Sequence, residues 1–506
     1  MNEKINDNSW IPLIVVACAS FIIIMDSLFM NVSISRIVAD LNTNVSTIQM
    51  IVSFYTLITA ALILPSTKLQ DIVNKKKLFL IGAALFGIGT FIAAISTSDA
   101  MLFVGWSVIK GVGRALMVPA IVSIVSGTYS GRNRTIALAV VGTVGTIADA
   151  SSPLIGGVIT TFFSWKYCFA CELIIIFFIL GMEHKIPNFK ATESKNNLDI
   201  VGVIISSIGL VLLVLGILML SKDIASVSLI ILGVIVLALF ILYELRRKRI
   251  GKTPLLDLNL FKDKNLRVGT SIKLLYNLVV DGLLFVLILF FQSVMQLNAF
   301  ETGWATLPLS MGMFIFSLIT PKLIVKLNHK TLMAIGCIIS IVGCLILSYQ
   351  FKLDTTMLDL IPGQFLLGAG LGFIMALTVD VALFDIPDES QNNASGIIST
   401  GETLGSSMGT AIIGIILILG VMGGISTAVD TYAPHYSGDE QFHQAVYDYF
   451  QKLDVDDFKA QDSIVVNTAD IIIQNTMALV MQVLALMIGI ILLLTFRIKN
   501  KNIKKQ

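Results

Sequence analysis

The sequence is short of charge. Only 13% of its 506 residues are Asp, Glu, Lys or Arg, against roughly 25% in a soluble globular domain. So few charges on so long a chain cannot cover a water-facing surface. A soluble enzyme, a disordered chain and a nucleic-acid-binding protein are thereby excluded, and no nucleic-acid partner is expected. Cysteine is scarce as well. Cys18, Cys168, Cys171, Cys337 and Cys344 all lie inside apolar runs; their spacing matches no metal site, and they read as packing residues. The four histidines (His184, His329, His435, His443) fall in loops, which leaves an integral membrane enzyme without the catalytic cluster it would need. No Gly-x-x-x-x-Gly-Lys-Ser/Thr loop is present to cradle a nucleotide phosphate. ATP is therefore not expected as the energy source.

What the chain has instead is length of apolar run. It is 56% hydrophobic with a mean hydropathy of +0.87, and a membrane-spanning helix needs about 20 mostly apolar residues. Spans are expected near 11–34, 47–69, 78–96, 101–125, 136–160, 165–182, 200–220 and 225–244. After a polar stretch they resume near 268–292, 302–326, 331–350, 357–384, 394–422 and 475–497. The first is too long for a signal peptide and lacks a basic n-region and a cleavage site. The expectation is an all-α integral membrane protein with about 14 transmembrane helices. Barrel strands would alternate over about 10 residues instead.

Lys and Arg orient the spans. With the N-terminus inside, the inside loops carry Lys75, Lys76 and Lys77; Arg132 and Arg134; and a cluster from Arg246 to Arg267. The tail from Arg497 to Lys505 joins them, whereas outside segments hold single cations such as Arg36, Lys166 and Lys352. The positive-inside rule then puts both termini in the cytoplasm.

An internal repeat divides the chain. Thr67-Lys-Leu-Gln-Asp-Ile-Val-Asn-Lys-Lys-Lys-Leu-Phe-Leu-Ile-Gly82 recurs as Pro321-Lys-Leu-Ile-Val-Lys-Leu-Asn-His-Lys-Thr-Leu-Met-Ala-Ile-Gly336, and Gly111-x-Gly113 recurs as Gly368-x-Gly370. Spans 1–6 then pair with spans 9–14, giving a 6+2+6 plan. Its parts are an N-terminal half over 1–196, an inserted pair over 197–250 with a cytoplasmic linker to 266, and a C-terminal half over 267–506. Parallel repeats about an axis along the membrane normal characterise one large class of secondary transporters, with the substrate path between the halves.

These residues resemble the major facilitator superfamily, and within it the 14-span drug:proton antiporters. Span 1 reads Met25-Asp26-Ser-Leu-Phe-Met-Asn31-Val32, close to that family's Leu-Asp-x-Thr-Ile-Val-Asn-Val. The loop after span 2 keeps Asp71, Lys75 and Lys76 of the superfamily's hinge signature, but Thr67, Ile72 and Asn74 replace its usual Gly, Arg and Gly. Span 4 reads Lys110-Gly111-Val-Gly113-Arg114-Ala115-Leu-Met-Val-Pro119, with Ser107 where an Arg is usual. Span 5 carries Ser152-Pro153-x-x-Gly156-Gly157 in place of Gly-Pro-x-x-Gly-Gly. The resemblance implies proton-coupled export of lipophilic or cationic drugs, multidrug resistance as its consequence, and a cell-membrane location. It also implies no cofactor, the proton gradient being the energy source. Small-molecule substrates and the lipid bilayer are the expected partners, with the protein a monomer.

A charge at the bilayer centre costs about 2.5–3.5 kcal/mol on insertion scales, so ionisable residues inside spans are functional candidates. At about 1.5 Å rise per residue, Asp26, Asp149 and Arg114 lie near mid-membrane, and Lys110 sits one turn from Arg114. Asp26 or Asp149 is expected to pair with Arg114 or Lys110 in one access state and to release the pair on taking a proton. Glu172, Lys273 and Asp380 are the remaining deep charges, the last two near cytoplasmic ends. In the second half Asp281 and Glu402 are the acids suited to a cationic substrate, with Phe285 and Trp304 as candidate aromatic walls. Pro153, Gly156 and Gly157 make span 5 a close-packed seam, and Gly401, Gly405 and Gly409 of span 13 are expected to mirror it. Segment 424–474 reads as an outside loop with nine acids against Lys452 and Lys459. Within it Phe442, Val446, Phe450 and Leu453 recur at helical spacing, which suggests a short helix over the pore mouth. A transporter for one metabolite or antibiotic is the alternative. An integral membrane enzyme or a channel is a remoter one, and a channel explains neither the repeat nor the inserted pair.

Overall fold

The computed structural model describes residues 9–129, 131–189, 199–219, 226–251, 259–324, 326–386, 391–452 and 463–498. Among the described residues fourteen long apolar helices run back and forth, as the hydropathy predicts. They are α1 (Ile11–Leu41), α2 (Val45–Val73), α3 (Lys75–Ala94), α4 (Asp99–Thr128), α5 (Gly131–Phe162), α6 (Trp165–Gly181), α7 (Ile200–Met219) and α8 (Ser226–Arg249). They continue as α9 (Lys264–Val294), α10 (Ala299–Leu323), α11 (His329–Gln350), α12 (Met357–Leu383) and α13 (Gln391–Tyr432). A short α14 (Glu440–Lys452) then precedes the last long helix, α15 (Ser463–Thr495). Hydropathy and length alone qualify eleven of these as spans.

The helices bury separate cores. Two clusters draw on α1–α6, around Phe86 and Ile124 and around Tyr55, Trp106 and Phe169. A third draws on α9–α13 and α15, around Phe290, Leu367 and Leu484, and takes in Leu28 of α1. Outward faces stay apolar, as on Ile231, Leu242, Phe177 and Leu486. Lipid, not water, suits that surface.

The repeat seen in the sequence is structural. Asn74 caps α3 by accepting from the Lys76 amide at 2.9 Å, and Asn328 caps α11 by accepting from the Thr331 amide at 2.8 Å. Asn74 stands at φ +116°, a backbone region that favours glycine. The glycine pairs recur too. A Cβ on Gly82 would lie 2.9 Å from the Gly113 carbonyl oxygen, and one on Gly336 would lie 2.8 Å from that of Gly370. Each pair brings two helix backbones into contact.

The inserted helices pack as a hairpin. Gly209 and Gly216 of α7 face Leu237 and Ile230 of α8, and Gly233 faces Leu213. At one end Asp199 accepts from the Tyr243 hydroxyl at 3.0 Å and pairs with Arg247 at 3.3 Å. Only α7 of the two leans on the rest substantially, through Ser207 Oγ donating to the Ala61 carbonyl of α2 at 3.2 Å and through contact with α13.

The 424–474 segment differs from expectation. α13 continues to Tyr432 and α15 begins at Ser463, so both helices extend well past their most apolar cores. Hydropathy marks what lipid requires; helical hydrogen bonding continues through Thr427, Thr431 and Thr468, whose hydroxyls bond back to carbonyls one turn earlier. The expected amphipathic helix exists as α14. Its Phe442, Val446 and Tyr447 pack on Ile425, Val429 and Ile472 of those extended ends, so α14 braces α13 against α15. The Phe450 side chain and Leu453 lie outside the described residues.

The charge asymmetry of the loops sets one expectation. On a cysteine-free background, a cysteine at exposed Lys77 should react with an impermeant maleimide only from the cytoplasmic side, and one at exposed Tyr436 only from the outside. Reversed labelling would invert the topology.

Candidate functional site

α4 is not uniformly α-helical. Phe103–Lys110 is wound as a π-helix and gives way to regular helix at Gly111, a local unwinding often found at functional sites. Ser107 at its inner wall donates to the Ile51 carbonyl of α2 at 2.6 Å. The stretch delivers Trp106 and Lys110 to one point, the Asp26 carboxylate of α1. Trp106 Nε1 donates to Asp26 Oδ1 at 2.8 Å, and Lys110 Nζ lies 2.5 Å from the same oxygen. Lys110 Nζ also lies 2.5 Å from Glu172 Oε2 of α6. The rings of Phe86 and Phe169 flank the ammonium at 4.6 and 4.8 Å, placing it against two electron-rich faces.

None of the three charged side chains is exposed. Two carboxylates share one ammonium, so the fully ionised cluster carries one surplus negative charge. Asp26 Oδ2 and Glu172 Oε1 are buried without a hydrogen-bond partner. A charge surplus in so dry a place is expensive, and one proton on either acid removes it. The arrangement is able to bind a proton and to release it when a wall opens.

A second site lies beside the first. A cavity of about 160 Å³ is lined from α1, α2, α4 and α5 on one side and α9, α10, α12 and α13 on the other. Its charged members are Arg114, Lys273, Asp281 and Glu402. Lys273 Nζ pairs with Glu402 at 3.3 Å, and Asp281 faces Ser406 of α13. Arg114 donates to Ser27 Oγ at 2.7 Å and lies 5.2 Å over the Tyr55 ring. Tyr55 in turn stacks on Trp106 at 4.3 Å. The two sites thus share a wall: Asp26 faces the cluster and Ser27 the cavity, Lys110 the cluster and Arg114 the cavity.

The structure therefore joins Asp26 to Lys110 and separates Lys110 from Arg114, although both cations lie on α4 one turn apart. The π-helical winding that ends at Lys110 is the local irregularity that accompanies this split. Asp281 and Glu402, the acids proposed for a substrate, line the cavity, and Pro153, expected only in the seam, borders it too. Phe285 does not; one turn beyond Asp281, it lines a separate cleft with Asn31 and Gln292. Trp304 is 52% exposed on the outside of α10, edge-on to Phe300, so it is no wall of the cavity. Its neighbour Gly303 takes the inward position, where a Cβ would meet the Pro153 carbonyl oxygen at 2.6 Å. The side chains of Asp149 and Asp71 lie outside the described residues. Lys75 sits 5.8 Å from the Phe189 ring, and the Lys76 amide caps on Asn74.

Two cluster or cavity residues escaped the sequence-based choice. Glu172 and Lys273 were visible as charges within spans, but nothing in the chain order places Glu172 opposite Lys110, or Lys273 in the cavity instead of at a helix end. Asp380 pairs with His329 at 2.8 Å, near the end of α12.

The seam of α5 is real and reaches across the molecule. A Cβ on Gly157 would lie 2.4 Å from the Ala299 carbonyl oxygen of α10, whereas Gly156 faces Phe29 of α1. The Phe300 amide donates to Thr161 Oγ1 at 3.0 Å, Gln292 Nε2 donates to the Val32 carbonyl at 2.8 Å, and Ser35 Oγ donates to Gln292. The glycines of α13 mirror the side of that seam where Gly156 meets α1, since α9 is the counterpart of α1 in the repeat. Gly405 and Gly409 lie against Leu274 and Leu278 of α9, next to α13 within the same helix group. The contact of α13 with α2 comes at Gly396 against Thr67.

Breaking one partner of a buried ion pair costs about 3–5 kcal/mol. Lys110→Met should therefore lower the melting temperature of the detergent-solubilised protein sharply, since it leaves two acids facing each other. Glu172→Gln keeps a neutral Lys110–Asp26 pair and should melt near the wild type. Equal melting of both variants would contradict the charge count.

Comparison with known proteins identifies the family and the fold. A sequence profile described as Major Facilitator Superfamily matches residues 16–410. The riboflavin transporter RibZ of Clostridioides difficile is 27% identical over 407 residues, which cover 79% of this chain and 87% of RibZ. The multidrug efflux pump LfrA of Mycolicibacterium smegmatis is 26% identical, covering 81% of each chain. The quinolone resistance protein NorB of Staphylococcus aureus is 28% identical, covering 74% of this chain and 81% of NorB. In three dimensions the chain resembles a crystal structure of a bacterial homolog of the human lysosomal transporter Spinster. The TM-score is 0.62 at 12% identity, over 96% of this chain and 97% of the other. The chain belongs to the Major Facilitator Superfamily: it is an all-helical, multi-pass membrane protein and a secondary transporter of small molecules, in a family typical of the plasma membrane and not typically enzymatic.

Proposed function

We propose that this transporter exports lipophilic or cationic drugs or other toxic compounds in exchange for protons. In this reading the halves 1–196 and 267–506 rock about the central cavity, with both termini in the cytoplasm and 197–250 as an inserted pair. The observation that carries it is the buried Asp26–Lys110–Glu172 cluster with its surplus negative charge. It is a proton site that no water reaches in the conformation described.

Coupling follows from geometry. α1 gives Asp26 to the cluster and Ser27 to the cavity, and α4 gives Trp106 and Lys110 to the cluster and Arg114 to the cavity. When Arg114 follows a substrate, α4 shifts against α1 and the Lys110–Asp26 contact changes length. When a proton neutralises Asp26, that contact weakens and α4 is freed. Each event alters the cost of the other by the same free energy, as linkage requires. The cavity is smaller than the roughly 300–1,000 Å³ typical of ligand pockets, so loading a drug-sized molecule requires the halves to part. Gly157 and Gly303 supply a seam of bare backbone, and parting it breaks the hydrogen bond from the Phe300 amide to Thr161 Oγ1.

A second reading, transport of one particular metabolite or antibiotic, draws support from the polar lining. Arg114, Lys273, Asn277, Asp281 and Glu402 share one small cavity, more recognition chemistry than a purely lipophilic cargo needs. The relatives' names span riboflavin as well as drugs.

The test is transport in proteoliposomes with an imposed pH gradient, screened against cationic dyes and antibiotics. Asp26→Asn should lower pH-driven transport at least tenfold, about 1.4 kcal/mol or more in coupling, while the protein still reaches the membrane. Normal coupling in that variant would sink the cluster as the proton site. Dye movement that ignores the gradient would indicate a channel, and uptake of a metabolite with no drug moved would favour the second reading.

A further inference from the structure

We propose that the central cavity selects zwitterionic amphiphiles, molecules that join a carboxylate and an ammonium through an apolar body. This narrows the substrate class and rests on the reading of that cavity as the substrate site.

Four charged side chains line the cavity, and they fall into two kinds. Lys273 and Glu402 satisfy each other at 3.3 Å. Arg114 and Asp281 do not have that relief. Arg114 has a hydroxyl and a ring for company, Ser27 and Tyr55, and its buried Nε has no hydrogen-bond partner. No carboxylate oxygen lies within ion-pair distance of it among the described residues. Asp281 has Ser406 beside it, with Arg114, Glu402 and Lys273 near enough to act on its charge. One open cation thus stands on α4 and one open anion on α9, on opposite walls.

A ligand with a cation alone can bind Asp281, but it enters a space where Arg114 and Lys273 already repel it. A ligand with an anion alone meets the reverse, and a neutral ligand leaves the two charges only the neutral partners Ser27, Tyr55 and Ser406 at close range. A zwitterion answers both at once. Charge-assisted hydrogen bonds are the stronger kind, and a desolvated charge left without a partner costs more than the bond itself gains. Leu284, Met313 and Met375 supply the apolar surface between the two poles, and methionine adapts to varied shapes.

The experiment uses a fluorescent arylpiperazine carboxylic acid, its methyl ester as the cation-only form and its N-acetyl derivative as the anion-only form. Binding to the purified full-length protein is read by fluorescence anisotropy at pH 7 with no gradient, so the outcome is independent of proton coupling. The parent acid should bind at least tenfold more tightly than either derivative. Arg114→Gln should erase its advantage over the ester, and Asp281→Asn its advantage over the N-acetyl form. Each variant keeps affinity for one derivative, which serves as its folding control. If the ester binds wild-type protein as well as the acid does, the zwitterion class falls while the export reading stands. If none of the three binds, the class falls together with the assignment of this cavity to substrate.

Discussion

An ammonium held between two carboxylates in a bundle surrounded by lipid is the constraint on which the N-terminal helices depend. Each of these charges is individually costly inside a membrane, and Lys110 makes all three tolerable only by reaching Asp26 and Glu172 together. That demand ties α1, α4 and α6 to one point. It is met where the helix before Lys110 runs as a π-helix, which directs Trp106 and Lys110 to the same carboxylate. The aromatic packing follows suit: Phe86, Phe169, Tyr55 and Trp106 all close around the cluster, excluding water and so strengthening each electrostatic contact.

The cluster acquires functional meaning from its neighbour. Adjacent residues of α1 and residues one turn apart on α4 face two different chambers, so neither helix can adjust to one without disturbing the other. A static ion pair would stabilise the fold as well, but it would have no need of an unmatched acid. The second carboxylate gives the cluster a surplus negative charge that a simple pair would lack, and the proposed proton site rests on that surplus.

The fold was legible in the sequence because lipid imposes its demand run by run. Every apolar stretch had to be a helix, and the repeated Asn and Gly residues recur as the same caps and backbone contacts in both copies. The site was legible only in part. Depth along a helix is arithmetic, which is how Asp26, Arg114 and Lys110 drew attention. Azimuth is not, because it depends on irregular winding and on which neighbours pack alongside. Phe285 and Trp304 failed on azimuth: each lies at a plausible depth and turns away from the central cavity. Glu172 was passed over because nothing in the chain order shows that its face of α6 turns toward Lys110. The over-long outside loop was an error of a third kind, in which the end of an apolar run was taken for the end of a helix.

The inserted helices bear on how such a bundle can move. α7 bonds to a backbone carbonyl of α2 through Ser207 but only packs on α13, and α8 leans mainly on α7. A hydrogen bond to a carbonyl fixes position, whereas apolar contact between helices tolerates sliding. The hairpin is thus tied more firmly to α2 than to α13, and α13 meets α2 closely where Gly396 lies against Thr67. The α5–α10 seam has no hairpin beside it. The two seams of the bundle are thus unequal, one crossed by the Phe300–Thr161 hydrogen bond and the other with a hairpin laid beside it.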